Sequence, residues 1–415
     1  MTAPLANPAR VDAELSSLAE GAFAFLERLV AEPSVVGREA SAQAVVAAEL
    51  ARLGFAVELL EVPESIAADP LAGVPQAAYG ARPLVIGRLR GGDGPTLLVN
   101  AHIDVVPAGT PELWASPPFS PERRAGWMHG RGAGDMKCGF AMVLLALEAL
   151  QRTEPAALTG SLIFVSAIEE ECGGNGTLAS LRAGVHGDAV LLPEPTDLDL
   201  LVGGSGVLWC DLAVRGRAGH AHSAEGGANP ILACLALGAE LATLERDLND
   251  ACAEDEEHCV INVGTIEGGD WRSSAPTGAR LGVRVGFPAA WDVDRAQRAV
   301  CAALDRATSS ATWPAGVNVT LTFDGIRAVG YALDPDHPLA CSLADAHEAV
   351  HGNRPRPYRL ASTTDARHYL NECGTPALCY GPRARDIHGI DEAVELTSIV
   401  AGARTLTRFI PAFMV

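Results

Sequence analysis

Apolar residues recur along this chain in two rhythms. Around residues 12–31 and 39–53 they return every three or four positions, the spacing of a helix with one buried face. Near 55–62, 84–90 and 96–100 they form short runs of strand length. Strands and helices then alternate to about residue 200, which predicts a mostly parallel sheet covered by helices. Residues 206–323 break that alternation. Their order is strand, helix, strand, strand, helix, strand: Val207 to Val214, Ile231 to Glu245, Cys259 to Ile266, Leu281 to Phe287, Val293 to Leu304 and Val317 to Phe323. This βαββαβ order predicts a ferredoxin-like unit. Asn229-Pro230 supplies an N-cap and a proline at the first helical position for its first helix. The expected fold class is α/β, with a main domain split into residues 1–204 and 326–415 around an inserted domain, 205–325. No internal repeat is present, and the one linker-like stretch is the Ala/Pro/Gly-rich loop Ile66 to Pro83.

Composition sharpens this only a little. At 415 residues the chain is too long for one compact core, and an apolar fraction of 48% can fill two. The formal net charge of −20 argues against nucleic acid or an anionic membrane surface as partner. The run Glu254-Asp255-Glu256-Glu257 reads as a solvated loop. Met1 to Arg10 has no apolar core behind basic residues, and no segment reaches the roughly 18 apolar residues of a membrane span. Ten cysteines are scattered without a CxxC pair, several inside apolar elements, as expected for reduced thiols in a cytoplasmic protein.

The chemistry lies where the apolar strands stop. Leu97 to Ala101 runs into His102-Ile103-Asp104, and residues two apart on a strand share a face. The imidazole can bind a metal while the carboxylate takes the other ring N–H. Asp135 follows in the glycine-rich turn Gly130 to Lys137, ahead of the apolar run Phe140 to Leu150. The strand Ser161 to Ala167 ends at Glu169-Glu170-Glu171, and Ala189 to Leu192 ends at Glu194. His388 follows Tyr380-Gly381-Pro382. Carboxylates at the ends of buried strands are costly unless a positive charge neutralises them. In an open α/β sheet such strand ends face the ligand crevice.

His102, Asp135, Glu171, Glu194 and His388 are two imidazoles and three carboxylates, a set that suits a pair of Zn²⁺ ions. A bridging Asp135 with one His and one Glu for each ion leaves room for a shared water, whose pKa two metals would lower. Glu170 is not needed as a ligand and is the natural general base.

The runs NAHIDVVPAG (Asn100 to Gly109), WASPPF (Trp114 to Phe119), GRGAGDMK (Gly130 to Lys137), EEECGGNGT (Glu169 to Thr177), EPT (Glu194 to Thr196), GRAGHAHSAEGGANP (Gly216 to Pro230), TDAR (Thr364 to Arg367) and YGP with the later His and Asp-Glu (Tyr380 to Glu392) occur in this order. Together the chain resembles the di-zinc deacylase and exopeptidase family of acetylornithine deacetylase, succinyl-diaminopimelate desuccinylase, aminoacylase-1 and carboxypeptidase G. The resemblance spans nearly the whole chain. It implies that the main domain is catalytic and the inserted one a lid and dimerisation domain. One zinc would sit on His102 and Glu194 and the other on Glu171 and His388, with Asp135 bridging and its peptide bond to Met136 cis. Asp104 would orient His102. Co²⁺ or Mn²⁺ could substitute for zinc. His220 matches a histidine that reaches across a homodimer interface to stabilise an oxyanion in the partner's site, while His222 stands where relatives have a small residue. Thr364 and Arg367 fall in a substrate-contacting run, and Arg367 could pair bidentately with a carboxylate. The lid arginine that clamps a substrate carboxylate in relatives would fall at Gly286. This chain has Arg284 instead, two residues earlier and on the same face.

The expected activity is therefore removal of an acyl group from the α-nitrogen of an amino acid by a cytoplasmic homodimer. A dipeptidase or carboxypeptidase using the same site is the alternative within the enzyme class. A metal-free binding protein on this fold would be expected to have lost ligands or the base, and all six residues are present.

Overall fold

The computed structural model describes residues 5–220, 222, 228–252 and 258–415. The acidic run 254–257, the first four residues and part of the Gly216 to Pro230 run lie outside the described residues. In chain order the principal elements begin with α1 (Pro8–Ala31), α2 (Ala40–Arg52), β1 (Ala56–Leu60), β2 (Leu84–Arg90), β3 (Thr96–His102) and α3 (Cys138–Thr153). There follow β4 (Ser161–Ala167), α4 (Asn175–Arg182), β5 (Ala189–Leu192), β6 (Leu200–Gly204), β7 (Gly206–Arg215), α5 (Pro230–Asn249), β8 (Ile261–Gly268) and β9 (Gly278–Phe287). The last are α6 (Val293–Ser309), β10 (Asn318–Thr322), α7 (Pro338–His351), β11 (Ala377–Cys379) and α8 (Leu396–Phe413). None of the described helices is long and apolar enough to cross a membrane.

Two units divide the chain: residues 1–203, 332–358 and 364–415 form the first, and 204–331 with 359–363 the second. The second unit gains two short pieces beyond the sequence boundaries for a local reason. Arg327–Ala328 pairs with β7, and Ser205 donates to the carbonyl of Leu360.

The first unit is built on a sheet of order β1-β2-β4-β3-β5-β11-β6, followed by Tyr331–Ala332. Its centre is parallel: β4 with β3, β3 with β5, and β5 with β11. Both flanks run antiparallel, at β1-β2, β2-β4 and β11-β6. The expected mostly parallel sheet is thus confined to the four central strands. The chain goes from β2 to β3 in a few residues, yet β4 inserts between them, so β2 meets β4 head to tail. Parallel register brings His102 beside Ala167, and Leu192 beside Cys379, so four central strands stop along one edge. α3 is buried around nearly its whole circumference, as the unbroken apolar run Phe140 to Leu147 requires. α1 starts at Pro8 because the Asn7 side chain caps it through the Arg10 N–H and proline takes the first helical position.

The second unit holds an antiparallel sheet whose main path is β8-β9-β7-β10, the strand order of a ferredoxin-like βαββαβ chain, with the short strand Arg327–Ala328 also paired to β7. One face carries the core: Leu208, Cys210, Leu212 and Val214 of β7 and Leu281, Val283, Val285 and Phe287 of β9 pack with α5 and α6. On the other face β9 presents Gly278, Arg280, Gly282, Arg284 and Gly286 in alternation. α5 opens on the Asn229 side chain, which accepts from the Ile231 N–H, with Pro230 at the first helical position. β8 is an edge strand.

Candidate active site

All five proposed metal ligands and Glu170 lie in the first unit. His102 ends β3, buried, with its Nε2 3.1 Å from Asp135 Oδ1. The second Asp135 oxygen, Oδ2, lies 3.4 Å from His388 Nε2, and that same nitrogen is 3.0 Å from Glu171 Oε2. Glu194 Oε2 stands 4.0 Å from His102 Nε2. One carboxylate therefore turns one oxygen to each imidazole, with Glu171 on the His388 side and Glu194 on the His102 side. Donor atoms of His102, Asp135 and Glu171 all fall within 4.8 Å of one another. The Asp135–Met136 peptide bond is cis.

Backbone packing makes this convergence possible. A Cβ at Gly139, in the first turn of α3, would lie 2.1 Å from the Pro193 carbonyl, and one at Gly381 would lie 2.2 Å from the Glu194 carbonyl. Both glycines let neighbouring segments press against the main chain that carries Glu194. Glu169 and His388 are held at φ +64° and +61°, unusual for residues with side chains.

The supporting contacts differ from the sequence expectation at Asp104. His102 Nδ1 lies 2.8 Å from the main-chain carbonyl of Asp104, while the carboxylate is 3.7 Å away. That carboxylate instead accepts the N–H groups of Glu170 (3.3 Å) and Glu171 (3.2 Å). The reason is positional: β3 ends at His102, so Asp104 lies past the pleat that would have aligned the two side chains. Asp104 still orients the imidazole through its carbonyl, and its side chain sets the turn that presents the base and a ligand.

Two further buried networks hold the site, and sequence reasoning gave neither a role. The Glu392 carboxylate accepts N–H bonds from Gly132 (3.0 Å), Gly134 (2.8 Å) and Asp135 (2.9 Å) and pairs with Arg131 at 2.5 Å. Arg131 also donates to Gly389 O and lies over the Trp114 ring. Glu392 thus fixes the backbone of Asp135. In the second network Glu169 accepts from Tyr79 (2.7 Å) and Arg82 (3.3 Å), and Arg82 grips Glu39 with two nitrogens. Tyr79 and Arg82 come from the loop Ile66 to Pro83 that reads as a linker. Their one signal was that Arg82 is its only basic residue.

Electrostatics agree with a cation site. Burial, with the carboxylates of Asp135, Glu171 and Asp365 alongside, pushes Glu194 up to about 8 even though His102 opposes the rise. Burial likewise holds the Glu170 carboxyl well above its ordinary range. Glu171 Oε1 is buried with no hydrogen-bond partner among the described residues. Imidazole nitrogens and carboxylate oxygens converging in this way fit a pair of zinc ions.

The remaining expected residues are placed as follows. Arg367 is buried, donating to Thr364 O (3.1 Å) and Gly173 O (2.9 Å) and lying 3.5 Å from Asp365 Oδ1, so it braces the turn beyond Glu171. Thr364 is buried beside it. His220, His222 and Arg284 belong to the second unit. His220 pairs in a two-residue strand with Ser274, and its Nδ1 lies 2.6 Å from His222 Nδ1. Arg284 donates to Ser362 Oγ (2.9 Å) and to the carbonyls of Ala361 and Val260. Its guanidinium meets no carboxylate among the described residues, and burial lowers its pKa.

Removing the Asp104 carboxylate should loosen the centre without abolishing it. Asp104→Ala is expected to weaken retention of a bound metal ion about 10 to 100-fold, the usual effect of losing a residue that positions the ligands. A competition titration against a chelator measures this, and unchanged affinity would remove Asp104 from the site.

Fold and site together define a hydrolase of the M20 metallopeptidase type. Residues 98–412 match the model of peptidase family M20/M25/M40, and the chain belongs to that family. Among its relatives is the succinyl-diaminopimelate desuccinylase of Methylobacterium sp. (strain 4-46), 32% identical over 94% of this chain and 96% of that protein. The N-formyl-4-amino-5-aminomethyl-2-methylpyrimidine deformylase of Bacillus subtilis (strain 168) is 28% identical over 89% of this chain and 88% of its own length. The solved di-peptidase Dug1p of Saccharomyces cerevisiae superposes with a TM-score of 0.81 at 17% identity, covering 98% of both chains. Human carnosine dipeptidase 1 gives 0.77 at 16%, covering 98% of this chain and all of that one.

Proposed function

We propose that the chain is a di-zinc amidohydrolase that removes a small acyl group from the α-nitrogen of an amino acid. The observation that carries this is Asp135, whose two oxygens face His102 and His388 separately, with Glu194 and Glu171 completing the two sides. These five residues would hold the ions. When bound, a pair of divalent cations acidifies water and polarises a carbonyl oxygen. Glu170, set by the Asp104 carboxylate and raised in pKa by burial, takes a proton from the attacking water and delivers it to the departing nitrogen. Arg284, a guanidinium without a carboxylate partner among the described residues, and Thr364 with Arg367 are the proposed substrate contacts. The acyl preference follows the desuccinylase and deformylase relatives. A screen of N-succinyl, N-acetyl and N-formyl amino acids alongside dipeptides, reading released amine, tests it. Hydrolysis of dipeptides alone would replace the deacylase reading with a peptidase one.

The reading includes a homodimer with shared sites. In its support, the edge strand β8 exposes Val263 and Ile266, and α5 exposes Leu232 and Leu235 in the same unit. His220 is proposed to act in the partner's site. Mixing His220→Ala with Glu170→Ala protein under subunit exchange should then restore up to about a quarter of wild-type sites, since half the dimers are mixed and each holds one intact site. No recovery despite demonstrated exchange would confine His220 to its own subunit.

A further inference from the structure

The second unit carries two cysteines that hydrolysis does not use. Cys252 stands just beyond α5 and Cys259 just before β8, with their sulfur atoms 3.4 Å apart. A single residue positions both. The main-chain carbonyl of Asn249 accepts the Cys252 N–H at 3.2 Å. Its side chain grips the Cys259 backbone at two points, Oδ1 accepting from N–H at 2.6 Å and Nδ2 donating to the carbonyl at 3.0 Å. That double clamp does for Cys259 what a neighbouring strand would do, so the meeting of the sulfurs is set by hydrogen bonds between Asn249 and the main chain of both cysteines. Cys252 is half-buried, whereas Cys259 is buried. One thiol is open to a reagent and the other waits behind it.

We propose that Cys252 and Cys259 form a redox-modifiable dithiol, converted by low-molecular-weight disulfides into an intramolecular disulfide. Exchange runs through thiolates and a mixed disulfide. Cys252 gives its proton to solvent and attacks one sulfur of the small disulfide, expelling the other half as a thiolate that takes up a proton. Cys259 then loses its proton and attacks the Cys252 sulfur, expelling the second half in the same way. Two protein thiols are oxidised and one small disulfide is reduced to two thiols. The new bond ties the end of α5 to the start of the edge strand β8 across the intervening segment. Neither cysteine is a proposed ligand, base or substrate contact and the thiol readout needs no hydrolysis, so the proposal stands or falls independently of the proposed activity.

The test uses the full-length protein and bis(2-hydroxyethyl) disulfide, an uncharged probe chosen because the sequence between the cysteines holds four carboxylates. After incubation, remaining thiols are alkylated and the unreduced digest is analysed by mass spectrometry. The expected product is a peptide pair joined through Cys252 and Cys259, lighter by two hydrogens than the unlinked peptides and separated again by reductant. Exposed Cys301 and Cys373 are internal controls that should carry the probe's half as stable adducts. In Cys259→Ser, Cys252 should retain the same adduct, since nothing remains to expel it. Adducts on Cys301 and Cys373 with Cys252 and Cys259 both alkylated would overturn the proposal. So would a stable probe adduct on Cys252 of the unaltered protein.

Discussion

If the proposed site is right, Glu170→Ala protein is expected to keep its bound metal and lose most of its hydrolysis. Loss of a general base typically lowers rate by about 10² to 10⁴-fold, equivalent to about 3–5 kcal/mol of barrier. Metal should survive because the Glu170 side chain lies outside the ligand set, while its backbone N–H, held by Asp104, remains. Glu170→Gln separates proton transfer from packing, since it preserves shape and removes the base. Turnover and metal content measured on the same samples decide the matter. Near-normal turnover in either folded variant would exclude Glu170 as the base.

The second large effect should come from a residue that touches neither metal nor substrate. Glu392→Ala leaves Arg131 buried beside an empty space and strips the acceptor from the N–H groups of Gly132, Gly134 and Asp135. Both partners of this ion pair are almost wholly buried, with 2% and 1% of their side-chain surface exposed. Breaking such a pair from one side typically costs about 3–5 kcal/mol, because an uncompensated charge stays behind. Denaturant unfolding should be compared with wild type, both in chelator, so that metal loss does not enter the difference. A midpoint unchanged from wild type would show that Arg131 finds another partner.

How legible each part was in the sequence depends on the range of the signal. The candidate positions His102, Glu171 and Glu194 could be read because each ends or closely follows an apolar strand, and a strand end is a local pattern. Asp135 and His388 lie in turns and showed only through their motifs, and the six elements of the second unit could be read from their own apolar runs. The antiparallel flanks of the first sheet could not, since the place of β4 between β2 and β3 is decided by packing across the sheet. The role of Glu392 was hidden for a different reason. Its partners at Gly132, Gly134 and Asp135 are backbone N–H groups, which every residue but proline has, and its one charged partner, Arg131, lies far away in the sequence, where no local spacing links the two. Tyr79 and Arg82 sat in a stretch whose alanines, glycines and prolines signalled only a loop. Asp104 was read in the right place with the wrong partner, because a spacing of two fixes a shared face only while the strand lasts.

The Glu392 and His388 contacts also set a timetable for synthesis. His102, Asp135, Glu171 and Glu194 leave the ribosome well before His388 and Glu392, with the whole second unit made between them. At roughly 5–20 residues per second that interval lasts on the order of tens of seconds. During it the carboxylate-rich strand ends have no His388, and the Asp135 turn has no Glu392 to shape it. On the proposed metal-centre reading, metal capture would be among the last events of maturation, and a chain halted before residue 388 would leave the ribosome with a nearly complete sheet and without one of the five proposed ligands.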